Sequence, residues 1–523
     1  MSTVTRRSLL AGAAALPVLA QTPAAARKPV PVTREEHRLV IIGSGFGGGV
    51  AALRFAQAGV PSLVLERGVW WRTGPNATTF PSPANLDKRA FWMGLVPPTL
   101  FGVPVRPHDP YTGLLEMVPG DGMNVVCAAG VGGGSLVYQG MTLQPTRELF
   151  ETTMPEGLDY QRMVSEYYPR VARMLRLRTA PDDVIASRTY LPSRIFKRNA
   201  ERAGYAVAKI PMPIDWNFAR RELAGEMRPS YTNGDCALGV NNGGKHSVDV
   251  TYLADALATG LVTVAPRHNV TRVALARDGR WTVHVDRIAT DGTVLAKKIL
   301  TTRGLVMAAG TVNTTRLLMR AAARGDIPDL PDGLGTNWGT NGDRIYVWTN
   351  FAEDFGAPQG GPVVYGSKDW ADPATANTVI QASLPPLPVN PRSTMLVGYG
   401  VSEARGRFVY DAAKDDAVLH WPKPGDSVLF AHLQRRAEKI AGRSSLLLDT
   451  NAVVPSTWHP LGGASMGTVC DLAGRVLGHR GLYVLDGALA PGTTAACNPS
   501  MTIAALAEQA TTRLVASDVG TIF

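Results

Sequence analysis

The sequence predicts an α/β fold that contains a Rossmann-like dinucleotide-binding domain. Three observations support this prediction. A glycine-rich turn follows an early apolar strand, an acidic residue ends the next strand, and two more glycine-containing turns follow later strands. With 523 residues the chain can bury a large core, and we expect two domains.

The first turn follows the apolar run Leu39–Ile42, which is typical of a buried parallel strand. Its glycines have G-x-G-x-x-G spacing: Gly43, Gly45 and Gly48, with Phe46 and Gly47 between the last two. The first glycine of this fingerprint permits a tight turn, the second lets the backbone approach a pyrophosphate, and the third lets the next helix pack closely. We predict that helix over Val50–Ala58. The turn therefore indicates a dinucleotide site rather than a glycine-rich turn without a ligand.

Glu66 directly follows the second predicted strand, Ser62–Leu65. A carboxylate at this place accepts hydrogen bonds from a ribose and repels a 2′-phosphate. The sequence thus predicts a dinucleotide with an unphosphorylated adenosine. An ordinary strand-end acid without a ligand is the alternative.

Two later segments repeat the pattern of a strand followed by small residues. The strand-like residues Asn124–Val126 run into a glycine loop, Gly130–Ser135, whose backbone N–H groups can face a ligand without intervening side chains. The predicted strand Leu305–Thr311 contains Gly310 and leads into a predicted helix, Val312–Ala323. A phosphate or ribityl chain could lie at that turn. Between the two segments we predict a hairpin-rich region with strands over Leu261–Val264, Val270–Leu275, Trp281–Val285 and Lys298–Thr302.

The C-terminal part of the chain contains the best candidate for a proton-transfer group. His459 lies in the constrained loop Trp458–Gly463, which reads W-H-P-L-G-G. A histidine in such a setting is a candidate general base. The alternative is a structural histidine that caps the loop.

A further strand and helix follow. The predicted strand ends at Asp486 before Gly487, and the predicted helix begins at Pro499 with Asn498 directly before it. The N-terminus of this helix has a partial positive charge that would favour the anionic form of a reduced flavin. Asn498 could contribute to the site, or it could serve only as the helix N-cap.

In this order, these segments resemble the glucose–methanol–choline (GMC) family of flavin oxidoreductases. Within the family, the chain looks most like the branch of bacterial cholesterol oxidases with non-covalent FAD. Further similar segments are Gly130–Gly140 with Met141, Val240–Lys245, Asn337–Gly342 and Arg407–Asp411. The resemblance covers most of the chain after its N-terminus. It implies a Rossmann-like FAD-binding domain and a discontinuous substrate domain built on an antiparallel sheet.

The resemblance also implies roles for individual residues. His459 would hold or take the hydroxyl proton, and Asn498 would polarise the oxygen or contact the flavin. The residues expected to bind FAD are Gly43, Gly45, Phe46, Gly47, Gly48, Glu66, Gly130, Gly132, Gly133, Gly134, Ser135, Val270, Gly310, Asp486, Gly487, Asn498 and Pro499. The residues expected near the substrate are Met141, Gln381 and Tyr138.

The implied reaction is oxidation of a secondary alcohol, most simply a 3β-hydroxysterol, with oxygen as the electron acceptor. Two departures from the branch bear on it. Gln381 stands where the branch has a glutamate that shifts the steroid double bond, and an amide cannot be a general base. Tyr138 stands where the branch has a small amide. We therefore expect oxidation to give the 5-en-3-one first and the conjugated 4-en-3-one to appear only slowly. The alternatives are an oxidase or dehydrogenase for a different apolar alcohol, or a flavin-bearing binding protein that has lost activity.

The resemblance predicts how the chain is divided between domains. The FAD-binding domain is expected to comprise residues 37–150, 226–322 and 455–523. The substrate domain is expected to comprise residues 151–225 and 323–454.

The N-terminus predicts export. Residues Thr5–Leu10 form a twin-arginine pattern, an apolar stretch follows, and Ala24–Ala26 offers a cleavage site. We expect residues 1–26 to be a Tat signal peptide and the protein to be secreted or associated with the cell envelope. A disordered basic tail is the alternative.

Composition limits the possible partners. The formal net charge is +10, without a dense Lys/Arg block or a nucleic-acid motif. We expect no nucleic acid and no metal as partner, a monomer, and at most transient contact with membrane surfaces. The four cysteines lack metal-ligand spacing and are expected to be free and buried, although one disulfide stays open: Cys127, Cys236, Cys470 and Cys497.

Overall fold

The computed structural model describes residues 29–96, 99–100, 103–361, 363–385, 390–452 and 455–523, so the predicted signal peptide lies outside the described residues. The strands are β1 (Val32–Ile42), β2 (Ser62–Glu66), β3 (Thr99–Leu100), β4 (Val103–Pro104), β5 (Leu115–Val118), β6 (Asn124–Ala128), β7 (Val207–Lys209), β8 (Val262–Pro266), β9 (His268–Leu275), β10 (Trp281–Ile288), β11 (Val294–Met307), β12 (Arg344–Asn350), β13 (Tyr365–Asp369), β14 (Asn377–Ala382), β15 (Ser393–Gly400), β16 (Arg407–Asp411), β17 (Asp416–His420), β18 (Ser445–Asp449), β19 (Ser456–Thr457) and β20 (Leu482–Val484). The α-helices are α1 (Phe46–Gln57), α2 (Arg147–Thr153), α3 (Tyr160–Arg162), α4 (Tyr168–Met174), α5 (Asp182–Ala186), α6 (Leu191–Arg202), α7 (Trp216–Leu223), α8 (Tyr252–Ala258), α9 (Thr311–Ala323), α10 (Ser427–Ala441) and α11 (Pro499–Asp518).

The first sheet has the predicted Rossmann-like core. Parallel strands lie in the order β8-β2-β1-β11-β20. The first half of β11 also pairs with the antiparallel strand β10, and β10 in turn pairs with β9. The last four residues of β1 and all of β2 are buried, which explains their apolar runs. The α/β fold class is therefore confirmed.

One strand of this sheet and the helix that follows β1 differ from the prediction. The strands expected at Lys298–Thr302 and Leu305–Thr311 are one continuous strand, β11, in which Gly304 pairs with Leu39. Gly304 therefore lies within the strand. Glycine is needed there because a Cβ atom would lie 2.0 Å from the ring of Phe523. Helix α1 begins at Phe46, four residues early, because the last glycines of the turn are already helical.

The second sheet is antiparallel, with strand order β18-β12-β15-β14-β13-β7. Leu433 and Leu429 of α10 contact one face of β15, at Gly398 and Gly400. Because side chains alternate along a strand, Tyr399 points from the opposite face. Its ring lies 6.3 Å from that of His459. The sheet thus places one face beneath helices and the other beside the predicted catalytic histidine.

A buried charge cluster fixes helix α11, whose N-terminus reaches the site. Glu508 accepts hydrogen bonds from Arg170 (2.9 Å) and from the hydroxyl of Tyr252 (3.1 Å), and it pairs with Arg54 at 3.3 Å. The four residues belong to α11, α4, α8 and α1. Because a buried carboxylate must be paired, this cluster holds α11 in one position against the Rossmann-like core.

Two other predictions can be compared with the fold. All four cysteines are free, so the possible disulfide is not formed. Within the residues that the structure describes, no helix combines the length and apolarity needed to cross a membrane.

Candidate active site

A cavity of about 580 Å³ lies at the carboxyl ends of the parallel strands. Its wall brings together most of the predicted site residues, namely Gly43, Gly45, Phe46, Gly47, Glu66, Gly133, Gly134, Tyr138, Val270, Gly310, His459, Asp486, Gly487, Asn498 and Pro499. Of the other predicted cofactor residues, Gly48, Gly130, Gly132 and Ser135 are not part of the wall. Met141 and Gln381 are not part of it either.

The glycines of the first turn have two different functions. Gly43 has φ +98°, and a Cβ atom there would lie 2.0 Å from the carbonyl oxygen of Ala308, so glycine is needed to bring β1 and β11 together. Gly45 has room for a Cβ atom, with Gly133 Cα the nearest atom at 3.8 Å. No side chain caps α1 at Gly45. The uncapped helix N-terminus beside an open glycine fits the diphosphate of a dinucleotide.

The second glycine loop faces the same space. A Cβ atom at Gly134 would meet nothing within 4 Å, although Gly134 lines the cavity. Ser135 stabilises the loop from behind, since its hydroxyl accepts from Val248 N (2.9 Å) and donates to the carbonyl oxygen of Gly132 (2.7 Å). The glycines leave a groove without side chains between two rigid turns, as a bound cofactor requires.

Glu66 connects the two glycine turns. Its carboxylate accepts hydrogen bonds from Ser44 Oγ (2.6 Å), Gly68 N (2.9 Å) and Gly130 N (3.2 Å). A carboxylate offers about four acceptor positions, so one stays available for a ribose hydroxyl. Its position at the end of β2, in the cavity wall, fits the predicted function.

Asp486 joins the end of the first sheet to the start of α9. Its carboxylate accepts from Gly310 N (2.9 Å), Thr314 Oγ1 (2.5 Å) and Ala488 N (2.9 Å). Burial raises the pKa of Asp486 to about 6. The site-lining turns at Gly310 and Gly487 are therefore held by one buried acid.

Tyr138 and Lys245 form a pair that the sequence analysis did not connect. The Lys245 ammonium donates to the backbone carbonyls of Leu136 (2.9 Å) and Tyr138 and lies 4.7 Å from the centre of the Tyr138 ring. Burial lowers the pKa of Lys245 to about 7. The Tyr138 ring also packs edge-on against Phe46 at 5.5 Å. Lys245 thereby fixes the end of the glycine loop and the tyrosine that lines the cavity.

His459 is held by Asp343, which the sequence analysis did not identify. The Nδ1 atom of His459 lies 2.7 Å from Asp343 Oδ1, and the Asp343 side chain is fully buried. This contact leaves Nε2 as the ring nitrogen that can face the cavity. One signal in the sequence could have indicated Asp343: it directly follows Asn337–Gly342, a segment that resembles the family.

Asn498 does not act as a side-chain cap of α11. Its amide nitrogen donates to the Met141 carbonyl and to Ser500 Oγ (2.6 Å), and its oxygen accepts from Leu143 N at 3.2 Å. The sulfur of Met141 in turn accepts from the hydroxyl of Tyr399 at 3.4 Å. Met141 therefore lies beside Asn498 and Tyr399, behind the part of the wall that Asn498 and His459 form.

One turn positions both predicted catalytic residues. Asn341 Nδ2 donates to the carbonyl of Cys497 (2.7 Å), and its oxygen accepts from Thr494 N (2.9 Å), which orders the loop before Asn498. Two residues later, Asp343 holds His459. The turn thus couples the geometry of the two residues.

The structure does not bring Gln381 to this site. Gln381 lies on β14 opposite Leu396, on the face of the sheet that the helices cover. Its oxygen accepts from Ser193 Oγ of α6 (2.7 Å), and its nitrogen donates to Thr394 Oγ1 (3.0 Å). The positions of β14 on the same face as Tyr399 are Thr378, Ile380 and Ala382, none of which is ionisable. The assignment of Gln381 to the substrate is therefore wrong, and it provides no argument about isomerisation.

The cavity combines two chemical capacities. One end offers a side-chain-free groove, a helix N-terminus and a ribose acceptor, which fit a flavin dinucleotide. The part of the wall that contains His459 offers an imidazole beside Trp458, which fits proton transfer from a bound substrate.

Comparisons with known proteins show what the chain is similar to. Family models with the description GMC oxidoreductase match residues 110–338 and 420–507. A cholesterol oxidase of Mycobacterium tuberculosis is 27% identical over 553 aligned positions, which span 91% of this chain and 91% of that protein. A cholesterol oxidase of Acinetobacter baumannii is 24% identical and spans 92% of this chain and 94% of its own. The solved structure of pyridoxine 4-oxidase from Mesorbium loti has a TM-score of 0.64 at 15% identity, covering 91% of this chain and 99% of that one, a likeness of fold alone.

Proposed function

The chain belongs to the GMC oxidoreductase family of flavoproteins and is an alcohol oxidase of that family, and from this premise we propose that it binds FAD and oxidises a 3β-hydroxysterol. The observation that most supports the proposal is the position of His459, which lines the cavity while a buried carboxylate holds its Nδ1 and leaves Nε2 for the substrate. Relatives named cholesterol oxidase, aligned over nine tenths of the chain, support the choice of a sterol.

The residues that would hold FAD are those of the groove. Backbone N–H groups at Gly45 and at the start of α1 would bind the diphosphate, and Glu66 would accept from the adenosine ribose. Gly134 would leave room for the cofactor. When bound, FAD would supply the acceptor for the hydride of the carbinol carbon and the route by which two electrons reach oxygen, with hydrogen peroxide as the product.

The protein's own contribution to the reaction is proton transfer and orientation. His459 Nε2 accepts the hydroxyl proton of the substrate as the carbinol carbon becomes a carbonyl. Asn498 lines the cavity, and its hydrogen bonds to the backbone of Met141 and Leu143 hold it in place from behind the wall. Trp458 lines the cavity beside His459, and the Tyr399 ring packs edge-on against the imidazole from behind, so the surroundings of this base are largely apolar, as a sterol ring would require.

The experiment is anaerobic flavin reduction. The purified protein should show a flavin spectrum, release FAD on denaturation and contain no NAD. A sterol should bleach the flavin, whereas small polar alcohols should not, and admission of oxygen should restore the colour with one hydrogen peroxide per ketone. A colourless protein that does not take up FAD, or bleaching only by a long-chain primary alcohol, would refute the cofactor or the substrate proposal respectively.

Gln381→Glu should destabilise the protein without adding isomerase activity. A carboxylate cannot donate to Thr394 Oγ1 and would be buried beneath α6, so we expect the free energy of unfolding to fall by about 1–3 kcal/mol. Urea denaturation measures this change. Gln434→Glu on the surface of α10 is the control and should change stability by less than about 0.5 kcal/mol. Faster formation of the conjugated 4-en-3-one by the Gln381 variant would show that position 381 reaches the substrate after all.

A further inference from the structure

We propose that Asp343 is a positioning residue for the reaction: its carboxylate selects the tautomer of His459 that carries the proton on Nδ1 and presents Nε2 as the proton acceptor. The proposal rests on the proposed function in one respect, namely that His459 accepts the substrate proton. The selection of the tautomer itself is a property of the pair and can be measured without turnover.

The first argument is the contact. Asp343 Oδ1 lies 2.7 Å from His459 Nδ1, a short distance for a hydrogen bond between nitrogen and oxygen. The Asp343 side chain is fully buried, and that of His459 is only 16% exposed. An ionised carboxylate only accepts hydrogen bonds. The ring nitrogen that faces it must therefore carry the proton.

The second argument is that the carboxylate cannot turn away. Its other oxygen, Oδ2, accepts from Thr457 Oγ1 (2.8 Å), His459 N (3.1 Å) and Trp458 N (3.2 Å). Three donors from consecutive residues of the loop hold this oxygen. Only Oδ1 is left for the imidazole, so the loop and the ring are fixed by one side chain.

The third argument is that the neighbours of the pair include aromatic rings and an arginine that binds elsewhere. The Tyr399 ring faces His459 edge-on at 6.3 Å, and the Trp458 ring lies 5.9 Å away. Arg344, next in sequence to Asp343, is directed elsewhere, because its guanidinium lies over the Phe430 ring and 3.6 Å from Asp449. Among the described residues, His459 is the ion-pair partner of Asp343.

The arrangement has a consequence for the reaction. When Nε2 takes the proton of the alcohol, His459 becomes an imidazolium beside a buried carboxylate. The opposite charges stabilise the developing cation where little water can do so. The proton passes from the substrate oxygen to Nε2, while the Nδ1 proton stays between Nδ1 and Asp343.

The decisive variant is Asp343→Asn. The amide oxygen should occupy the place of Oδ2, where three donors hold it, so the NH₂ group must face Nδ1. His459 would then accept at Nδ1 and carry its proton on Nε2, which leaves no base in the cavity. We expect the rate constant of flavin reduction to fall about 10²-fold, with substrate affinity and FAD content little changed.

The matched control is Asp121→Asn. Asp121 pairs with His420 at 3.2 Å on the surface, outside the cavity wall. The same substitution there removes a carboxylate from a histidine without affecting the site. We expect wild-type rates from this variant.

A spectroscopic measurement tests the tautomer directly. Holoenzyme labelled with ¹⁵N-histidine should give a low-field Nδ1 proton signal that is absent from His459→Gln and from Asp343→Asn, and present in Asp121→Asn. A wild-type protein without this signal, or an Asp343→Asn variant that keeps it, would overturn the proposal. If Asp343→Asn does not fold, comparison of this signal in the wild type and in His459→Gln still shows whether Nδ1 of His459 carries the proton. Failure of all alcohols to reduce the flavin would instead refute the proposed function and leave this spectrum as the test of the pair.

Discussion

Replacing His459 by glutamine should lower the rate of substrate-driven flavin reduction by about 10²–10⁴-fold, the usual scale for a positioned proton-transfer group. Glutamine is similar in length, and the backbone N–H groups of residues 458 and 459 still donate to Asp343 Oδ2, so the loop should keep its shape. It cannot take a proton. Anaerobic stopped-flow mixing with the substrate measures the rate, and the ratio of flavin to protein absorbance measures FAD content, which should be unchanged.

His420→Gln is the control for this prediction. His420 pairs with Asp121 at the surface and does not line the cavity, so the same substitution there should leave flavin reduction at the wild-type rate. Near wild-type reduction by His459→Gln would mean that another group takes the proton. Loss of FAD from that variant would instead make His459 a structural residue of the cofactor site.

The cofactor end of the site could be predicted because its signals are local. The turn at Gly43 needs glycine within a few residues of a recognisable strand, and Glu66 follows at the end of the next strand. Local spacing decides both features, and the structure places them in one cavity wall. The same holds for His459, which lies in a short loop of unusual composition.

The catalytic end could be predicted only in part, because its contacts depend on tertiary structure. Asp343 is 116 residues from His459 in sequence, and no spacing rule connects the two. Gln381 illustrates the opposite error. A shift of one residue in a strand moves a side chain to the other face, and a sequence without a known register cannot show which face meets the substrate. Ile380 and Ala382, its neighbours, occupy the face that Gln381 was expected to occupy.

Gly134→Val should prevent cofactor binding while the protein still folds. The valine side chain would enter the cavity rather than the protein core, because a Cβ atom at this position meets nothing within 4 Å and the backbone there does not have positive φ. We expect the Kd for FAD to rise at least about 10³-fold, which corresponds to roughly 4 kcal/mol of binding free energy. Titration of the apoprotein with FAD, followed by flavin fluorescence, measures this change.

Gly74→Val separates loss of the cofactor from loss of the fold. Gly74 also has open space around its Cβ position and no positive φ, and it is not part of the cavity wall. The two apoproteins should therefore unfold at similar temperatures, whereas only the Gly134 variant should fail to bind FAD. Normal FAD binding by Gly134→Val would mean that the cofactor does not pass this part of the loop. In that case the groove between Gly45 and Gly134 would not be the flavin site. The position of His459 would then no longer support its role in oxidation of the substrate.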